Sequence, residues 1–375
     1  MNLGERLSRR ARSVEFSGIR KAYDLAAKLT DPIDLSIGQP DHATPEPVAA
    51  AAIDAIRAGH NRYTTTVGLP ALRERVRSEL RKELGWDAQV MITAGVSGGL
   101  LLTLLALLDP GDEVVFPDPY FVSYRQLVRM VNGVPVAVSA YPDFRFPAAA
   151  IEAAITPRTR AIMINSPGNP TGTVNSEADV RAAADIARRH DLALVSDEIY
   201  CDLTLDQPHV SPARFAPDHT VVLRGYGKSY AVTGWRLGYL AAAGSFVDEL
   251  TRLQQYTYVC ATSMGQHAML AAHDLDLASI RREYVRKRDL VCELLHPTFE
   301  FVRPGGGFYV FPRIPSGFDD ATAFCGAAAE RSVLVIPGNV FSDRDTHFRV
   351  SFATTEAKLR EGCRRLCELA RRGPG

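Results

Sequence analysis

The sequence predicts an α/β protein: a large domain with a mostly parallel sheet between helices, followed by a smaller α+β domain. Three observations carry this. Short unbroken apolar runs, such as Ala161–Ile164, Leu192–Val195 and Thr220–Leu223, are separated by helical stretches, as expected of strands buried on both faces. After about residue 280 that alternation gives way to a long charged helix and shorter, mixed strands. A chain of 375 residues buries a large core and suits two domains.

The elements follow in order. Pro70 opens an amphipathic helix, Ala71 to Leu84, and Gly85 stops it. An apolar helix runs from about Ser97 to Leu108 and ends at Asp109-Pro110-Gly111. A strand, Glu113–Phe116, precedes a helix near Val122–Val131, closed by Asn132-Gly133, and strand Val134–Val138 follows. Ser176 caps a helix to about His190, with Glu177 and Asp179 in its first turn. In the last part come a helix from Leu277 to Leu295, strands near Phe299–Val302 and Phe308–Pro312, and a helix near 320–331. Strands Val333–Ile336 and His347–Phe352 and a terminal helix from Thr355 complete the chain.

Composition narrows the function. With 43 basic and 43 acidic residues the net charge is zero, and 46% of residues are apolar. This is globular usage, not that of a disordered polymer, a collagen-like fibre or a polytopic membrane protein. A balanced charge argues against a surface built to hold nucleic acid or anionic lipid, so neither is expected as a partner. The first ten residues are polar with no apolar segment behind them, and the longest apolar stretch, Gly95–Leu108, is too short to span a bilayer. The six cysteines are scattered; Cys363 and Cys367 share a helix face but lack partners for a metal. No metal is expected, and reduced thiols in a cytoplasmic protein are.

Four clusters lie at strand ends or turns, where open α/β sheets place ligands. Asn165-Ser166-Pro167-Gly168-Asn169-Pro170-Thr171-Gly172 is either a rigid turn or a loop presenting the Asn169 amide to a ligand. Ser196-Asp197-Glu198-Ile199-Tyr200 follows a buried strand; Asp197 is either a helix cap or a partner for a positive ligand nitrogen. In Arg224–Tyr239, Lys228 sits among Gly227, Ala231 and Gly234, walled by Tyr226, Tyr230 and Trp235. An enclosed lysine there would have a lowered pKa suited to imine chemistry; a solvated surface lysine is the alternative. In His347–Phe352, alternation sets Arg349 opposite Phe348 and Val350, either facing solvent or as a bidentate carboxylate clamp.

Together these clusters resemble the class I/II aminotransferases of the aspartate aminotransferase superfamily, the fold-type I pyridoxal-phosphate enzymes. The runs SPGNPTG, SDEIY and GKSYAVTGWRLGY match the family's signature segments in its order. Further marks are Ser36–Asp41, Tyr63 with Gly68 and Leu72-Arg73, Ile92–Gly95, Pro304–Tyr309 and Ile336–Gly338. The likeness spans residues 33 to 355.

The resemblance implies pyridoxal 5′-phosphate as cofactor and a role for each matching residue. Lys228 would carry the cofactor as an imine and then shuttle a proton between substrate and cofactor. Asp197 would pair with the pyridine nitrogen and keep the ring an electron sink. Asn169 and Tyr200 would donate to the phenolic oxygen, and Phe121 would stack on the ring. The phosphate would sit on the backbone N–H groups of Val96 and Ser97 at a helix N-terminus, with Arg236 as charged ligand. Tyr63 would reach the phosphate of the other subunit, making a homodimer with shared sites. Arg349 would clamp the substrate α-carboxylate, helped by the Gly38 backbone and Asn169. The implied domains are a large one over 41–280, a small one over 281–375, and an N-terminal segment, 1–40, joining the small domain.

Glycines stand at 225 and 227, where many relatives carry serines, one of them a phosphate donor. Weaker phosphate anchoring is expected, or compensation by the Ser97 hydroxyl. The substrates expected are an α-amino acid and a 2-oxo acid, exchanged by ping-pong transamination. No Lys or Arg lies in Ser97–Leu108 to meet a side-chain carboxylate, which favours a neutral, apolar or aromatic amino acid. Cysteine-conjugate β-lysis or a related lyase reaction uses the same residues and is the alternative. A non-catalytic regulator is disfavoured by the intact Lys228, Asp197 and Arg349.

Overall fold

In a computed structural model of the chain, residues 3–16, 18–19 and 31–373 are described. The strands are β1 (Ile33–Asp34), β2 (Gln89–Thr93), β3 (Glu113–Asp118), β4 (Val134–Ser139), β5 (Thr159–Asn165) and β6 (Ala193–Asp197). After them come β7 (Thr220–Gly225), β8 (Gly238–Ala242), β9 (Tyr309–Val310), β10 (Val333–Leu334), β11 (Ile336–Pro337) and β12 (Phe348–Ser351). Seven form one sheet in the order β2-β8-β7-β6-β5-β3-β4. Strand β8 runs against both of its neighbours, and the remaining pairs are parallel.

The sheet forms because its strands are apolar on both faces and helices cover both. Residues 161–164 of β5 and 220–224 of β7 are buried throughout. The helix Gly95–Leu107 is apolar on every side and lies centrally, with Leu100, Leu102 and Leu104 all at most 1% exposed. Each such leucine contributes about 1.5–3 kcal/mol of burial. Its first residues, Gly95, Val96 and Ser97, line a cavity shared with the strand-end residues Asn165 and Asp197. The helix Glu177–Arg189 begins with a reciprocal cap between Ser176 and Asp179.

The C-terminal part builds two small sheets. Strand β10 pairs with β1, and β11-β12-β9 form an antiparallel group. A separate core of Phe299, Phe308, Phe324, Phe348 and Leu366 packs between them and the helices Ala278–Leu295 and Glu356–Arg372.

One expectation is corrected. Phe299–Val302 is not a strand: Phe299 N–H closes the preceding helix on Leu295 O, and Glu300 O accepts from Arg313. The phenylalanine is buried as a plug under that helix, and its run of backbone has no strand beside it to pair with. Of the two readings of Arg349, the solvent-facing one is excluded, since all four residues of β12 are buried. The arginine points into the space between the two sheet systems.

Candidate active site

The carboxyl ends of β3, β5, β6 and β7 converge on a cavity of about 290 Å³, closed from the other side by β9 and β12. Its walls include Gly38, Val96, Ser97, Phe121, Asn169, Asp197, Tyr200, Lys228, Arg236 and Arg349. Every site residue foreseen in the sequence lies here except Tyr63, which is 82% exposed on the outer surface of the chain.

Lys228 follows β7 on a single helical turn and donates to the Gly38 carbonyl. Burial, then the charges of Arg349 and Arg236, push its pKa down to about 8, with Asp197 opposing them. Asp197 ends β6. Its Oδ2 accepts from Tyr124 Oη at 2.7 Å and its Oδ1 from Ile199 N–H at 3.2 Å. Burial raises its pKa to about 6 despite these donors. A carboxylate so desolvated gains from a cation delivered into the cavity.

Arg349 is wholly buried and lies 4.5 Å over the Tyr309 ring and 4.7 Å over Phe341. It donates to Asn169 Oδ1 at 2.9 Å and to the Ser36 carbonyl at 2.5 Å, while its Nε has no partner. Since guanidinium only donates, the contact fixes the Asn169 amide, with its oxygen toward Arg349 and its NH₂ left over. Tyr200 Oη lies 3.0 Å from Tyr309 Oη, and burial keeps both phenols protonated.

At the other end of the cavity the helix Gly95–Leu107 begins without a side-chain cap, so its first N–H groups stay open to a ligand. Gly95, at φ +69°, lets the backbone pass under Arg236; a Cβ there would lie 2.9 Å from the guanidinium. Arg236 itself donates to Thr233 O and forms no ion pair among the described residues. Helix end and guanidinium make a cationic cradle for a small anion. Gly225 is set by packing: a Cβ would come 2.6 Å from Ile199 Cδ1 and 3.1 Å from Val96 Cγ2. A serine there requires Ile199 to move, which gives the glycine a physical reason.

Two residues escaped the sequence reading. Tyr124 belongs to the helix Ser123–Met130, and only its spacing from Phe121 hinted that it could turn inward. Tyr309 closes the quoted Pro304–Tyr309 segment without any role given to it there. Behind the cavity a buried charge network joins the same strand ends. Glu198 accepts from Arg224 Nε at 2.8 Å, Ser211 Oγ at 2.6 Å and Ser196 Oγ at 3.0 Å, with His209 Nε2 also at 3.0 Å.

An anion cradle at one end, a buried carboxylate at the other and a lysine of lowered pKa between them fit a phosphorylated pyridine aldehyde. The comparisons agree. The profile of aminotransferase class I and II matches residues 30–366. Aromatic-amino-acid aminotransferase 2 of Thermococcus litoralis is 37% identical, over 96% of this chain and 97% of its own. Aspartate aminotransferase of Pyrococcus abyssi is 35% identical, over 97% and 98%. The solved aspartate aminotransferase of Thermus thermophilus with maleate superposes with a TM-score of 0.94 at 35% identity, covering 97% of this chain and 99% of that one. The chain belongs to the class I and II aminotransferases. It has their α/β fold, and it is a pyridoxal 5′-phosphate-dependent transferase of amino groups.

Proposed function

We propose that the protein moves the amino group of a neutral, apolar or aromatic α-amino acid to a 2-oxo acid by ping-pong transamination. The observation that carries this is the placing of Lys228, Asp197 and Arg349 around one cavity. Pyridoxal phosphate, when bound, supplies the electron sink for the carbanion that forms at the substrate Cα.

The chain's own residues do the rest. The helix start at Val96 and Ser97, with Arg236, binds the phosphate and so fixes the ring in the cavity. Asp197, kept ionised by Tyr124, holds the proton on the pyridine nitrogen. Phe121 packs against the ring, and Asn169 and Tyr200 donate to its phenolic oxygen. Arg349 binds the α-carboxylate with the Gly38 backbone and Asn169 beside it, which sets the Cα hydrogen near Lys228. Lys228, whose lowered pKa of about 8 makes the free amine accessible, then takes and returns that proton.

The substrate reading is supported by the lining. Its cations are Lys228, Arg236 and Arg349, each with a task, and no fourth appears among the described lining residues. The remaining wall includes Ile19, Leu100, Phe121 and Ile199. The relatives' names include both aspartate and aromatic substrates and do not choose between them.

The working form is proposed as a homodimer in which Tyr63 completes the partner's phosphate site. Its domains are proposed as 41–280 and 281–375, with residues 1–40 joining the second. No helix among the described residues is long and apolar enough to cross a membrane, and all six cysteines are free. A cytoplasmic setting suits such thiols.

The test is a panel of amino donors read as loss of the bound cofactor's visible band. Phenylalanine and leucine should bleach it faster than aspartate, without release of ammonia. Lys228→Ala should abolish turnover while the protein remains dimeric. Aspartate as the best donor overturns the substrate reading, and normal transamination by Lys228→Ala overturns the reaction.

A further inference from the structure

We propose that Tyr309 is a positioning residue that turns the Tyr200 hydroxyl hydrogen toward the cofactor and thereby tunes the group held at Lys228. This rests on the reading above, in which Tyr200 faces the phenolic oxygen of pyridoxal phosphate.

The two hydroxyl oxygens are 3.0 Å apart, and the rings stand at 89° with centroids 5.8 Å apart. Both side chains are buried, at 3% and 1% exposure, so no solvent competes for the contact. Tyr309 has little freedom to leave it. Arg349 covers its ring at 4.5 Å, Phe308 packs beside it at 4.8 Å, and the Gly38 backbone closes on its hydroxyl.

A phenol has one hydrogen to give and two lone pairs to receive. The oxygen–oxygen contact alone is compatible with either donor. An ionised phenolic oxygen on the cofactor only accepts, so Tyr200 spends its hydrogen there. The contact between the tyrosines then persists only with Tyr309 as donor. A hydroxyl that receives a hydrogen bond gives a stronger one, because the chain of bonds polarises cooperatively. Tyr309 therefore strengthens the bond from Tyr200 to the phenolic oxygen. That bond draws charge from the oxygen and loosens its hold on the proton it shares with the Lys228 nitrogen.

The other charged and titratable groups facing this pair are accounted for. Tyr200 is faced by Arg349 and Asp197 besides Tyr309, and Lys228 by Arg349, Arg236 and Asp197. None is altered by removing one phenolic oxygen from Tyr309.

The experiment is a pH titration of the cofactor-loaded enzyme, following the shift in its visible absorbance. Tyr309→Phe should raise the midpoint by about half a pH unit, the scale of one weakened hydrogen bond. In a Tyr200→Phe background, Tyr309→Phe should add nothing, because the effect passes through Tyr200. Replacing Tyr309 by 3-fluorotyrosine keeps ring and hydroxyl but makes a stronger donor, and the midpoint should fall. This second replacement carries the test if the phenylalanine variant folds poorly. A midpoint unmoved by both replacements, or moved equally with and without Tyr200, overturns the proposal. A wild-type enzyme that takes up no cofactor overturns the parent reading instead, and this one with it.

Discussion

A lysine captures an aldehyde only as the free amine, so with Lys228 as the proposed carrier its pKa sets how fast the apoenzyme takes up its cofactor. At pH 7 a lysine titrating at about 8 is roughly one-tenth neutral, whereas one at 10.5 is neutral in about one molecule in three thousand. The site thus multiplies the reactive amine by about 300 at neutral pH. Burial is the largest cause, and the charges of Arg349 and Arg236 follow. The assay is stopped-flow uptake of pyridoxal phosphate by apoenzyme between pH 7 and 10.5, with borohydride trapping to confirm attachment at Lys228. The rate should climb tenfold per unit below an inflection near 8 and then flatten. Two variants test the causes separately. Arg349→Gln removes a neighbouring positive charge and should move the inflection up. Asp197→Asn removes the negative charge that opposes it and should move the inflection down. The same shift has a linked effect on stability. Between about pH 8 and 10.5 the unfolded chain holds a proton on Lys228 that the folded chain does not, so this group makes the apoenzyme more stable as pH rises through that window. An inflection near 10, or both variants moving it the same way, refutes the electrostatic account of the site.

Two further outcomes follow from the same geometry. Arg349→Lys keeps the charge but loses the fork that meets Asn169, Ser36 and a carboxylate together. At about 1.5–3 kcal/mol per charged hydrogen bond, kcat/KM for amino acids should fall roughly 10- to 150-fold. Single-turnover reaction with an amine lacking the carboxylate should change far less. Glu198→Gln removes one of the two carboxylates on buried Arg224, leaving Glu83, and the carboxylate beside His209, and should cost about 1–3 kcal/mol in denaturant unfolding at pH 7. Burial opposes ionisation of Glu198, but His209 and Arg224 hold its pKa well below the usual range. Its contribution is therefore present above about pH 4.5 and lost as the pH falls further, and the deficit of the variant should shrink in acid.

The large sheet was legible because its strands are continuous apolar runs between helices, and β5, β6 and β7 fall where those runs lie. Strands β2 and β8 were not assigned from pattern. Thr93 and Gly238 end them, and Gly238 lies against the backbone of Gly95 and Val96, where packing and not periodicity chooses the residue. The site was legible in its charged members, since Lys228, Asp197 and Arg349 each break an apolar or small-residue context. Tyr124 and Tyr309 were not, because a tyrosine that serves a carboxylate or another phenol is indistinguishable in sequence from one that fills a core. Arg349 marks the limit of strand alternation. The pattern predicted which side of β12 it occupies, but whether that side meets water depended on a sheet nearly two hundred residues earlier.

Tyr63 is the one foreseen residue that a single chain leaves outside the cavity. The loop behind it is pinned by two wholly buried glutamines. Gln266 accepts from Leu69 N–H at 2.7 Å and donates to Thr64 Oγ1 at 3.2 Å, and Gln254 donates to the Thr66 carbonyl. A ring 82% exposed on so firmly held a loop is available for contact with another molecule. If that molecule is a second copy, complementation separates service within a chain from service across chains. Tyr63→Ala and Lys228→Ala chains should each be defective as homodimers. In the mixed dimer, the chain that keeps Lys228 receives Tyr63 from its partner only when the tyrosine crosses the interface. Random pairing then makes about a quarter of all sites native, and the co-expressed mixture should regain cofactor affinity and turnover in that proportion. If Tyr63 serves its own chain, no site in any dimer is native, and the mixture stays as poor as its parents.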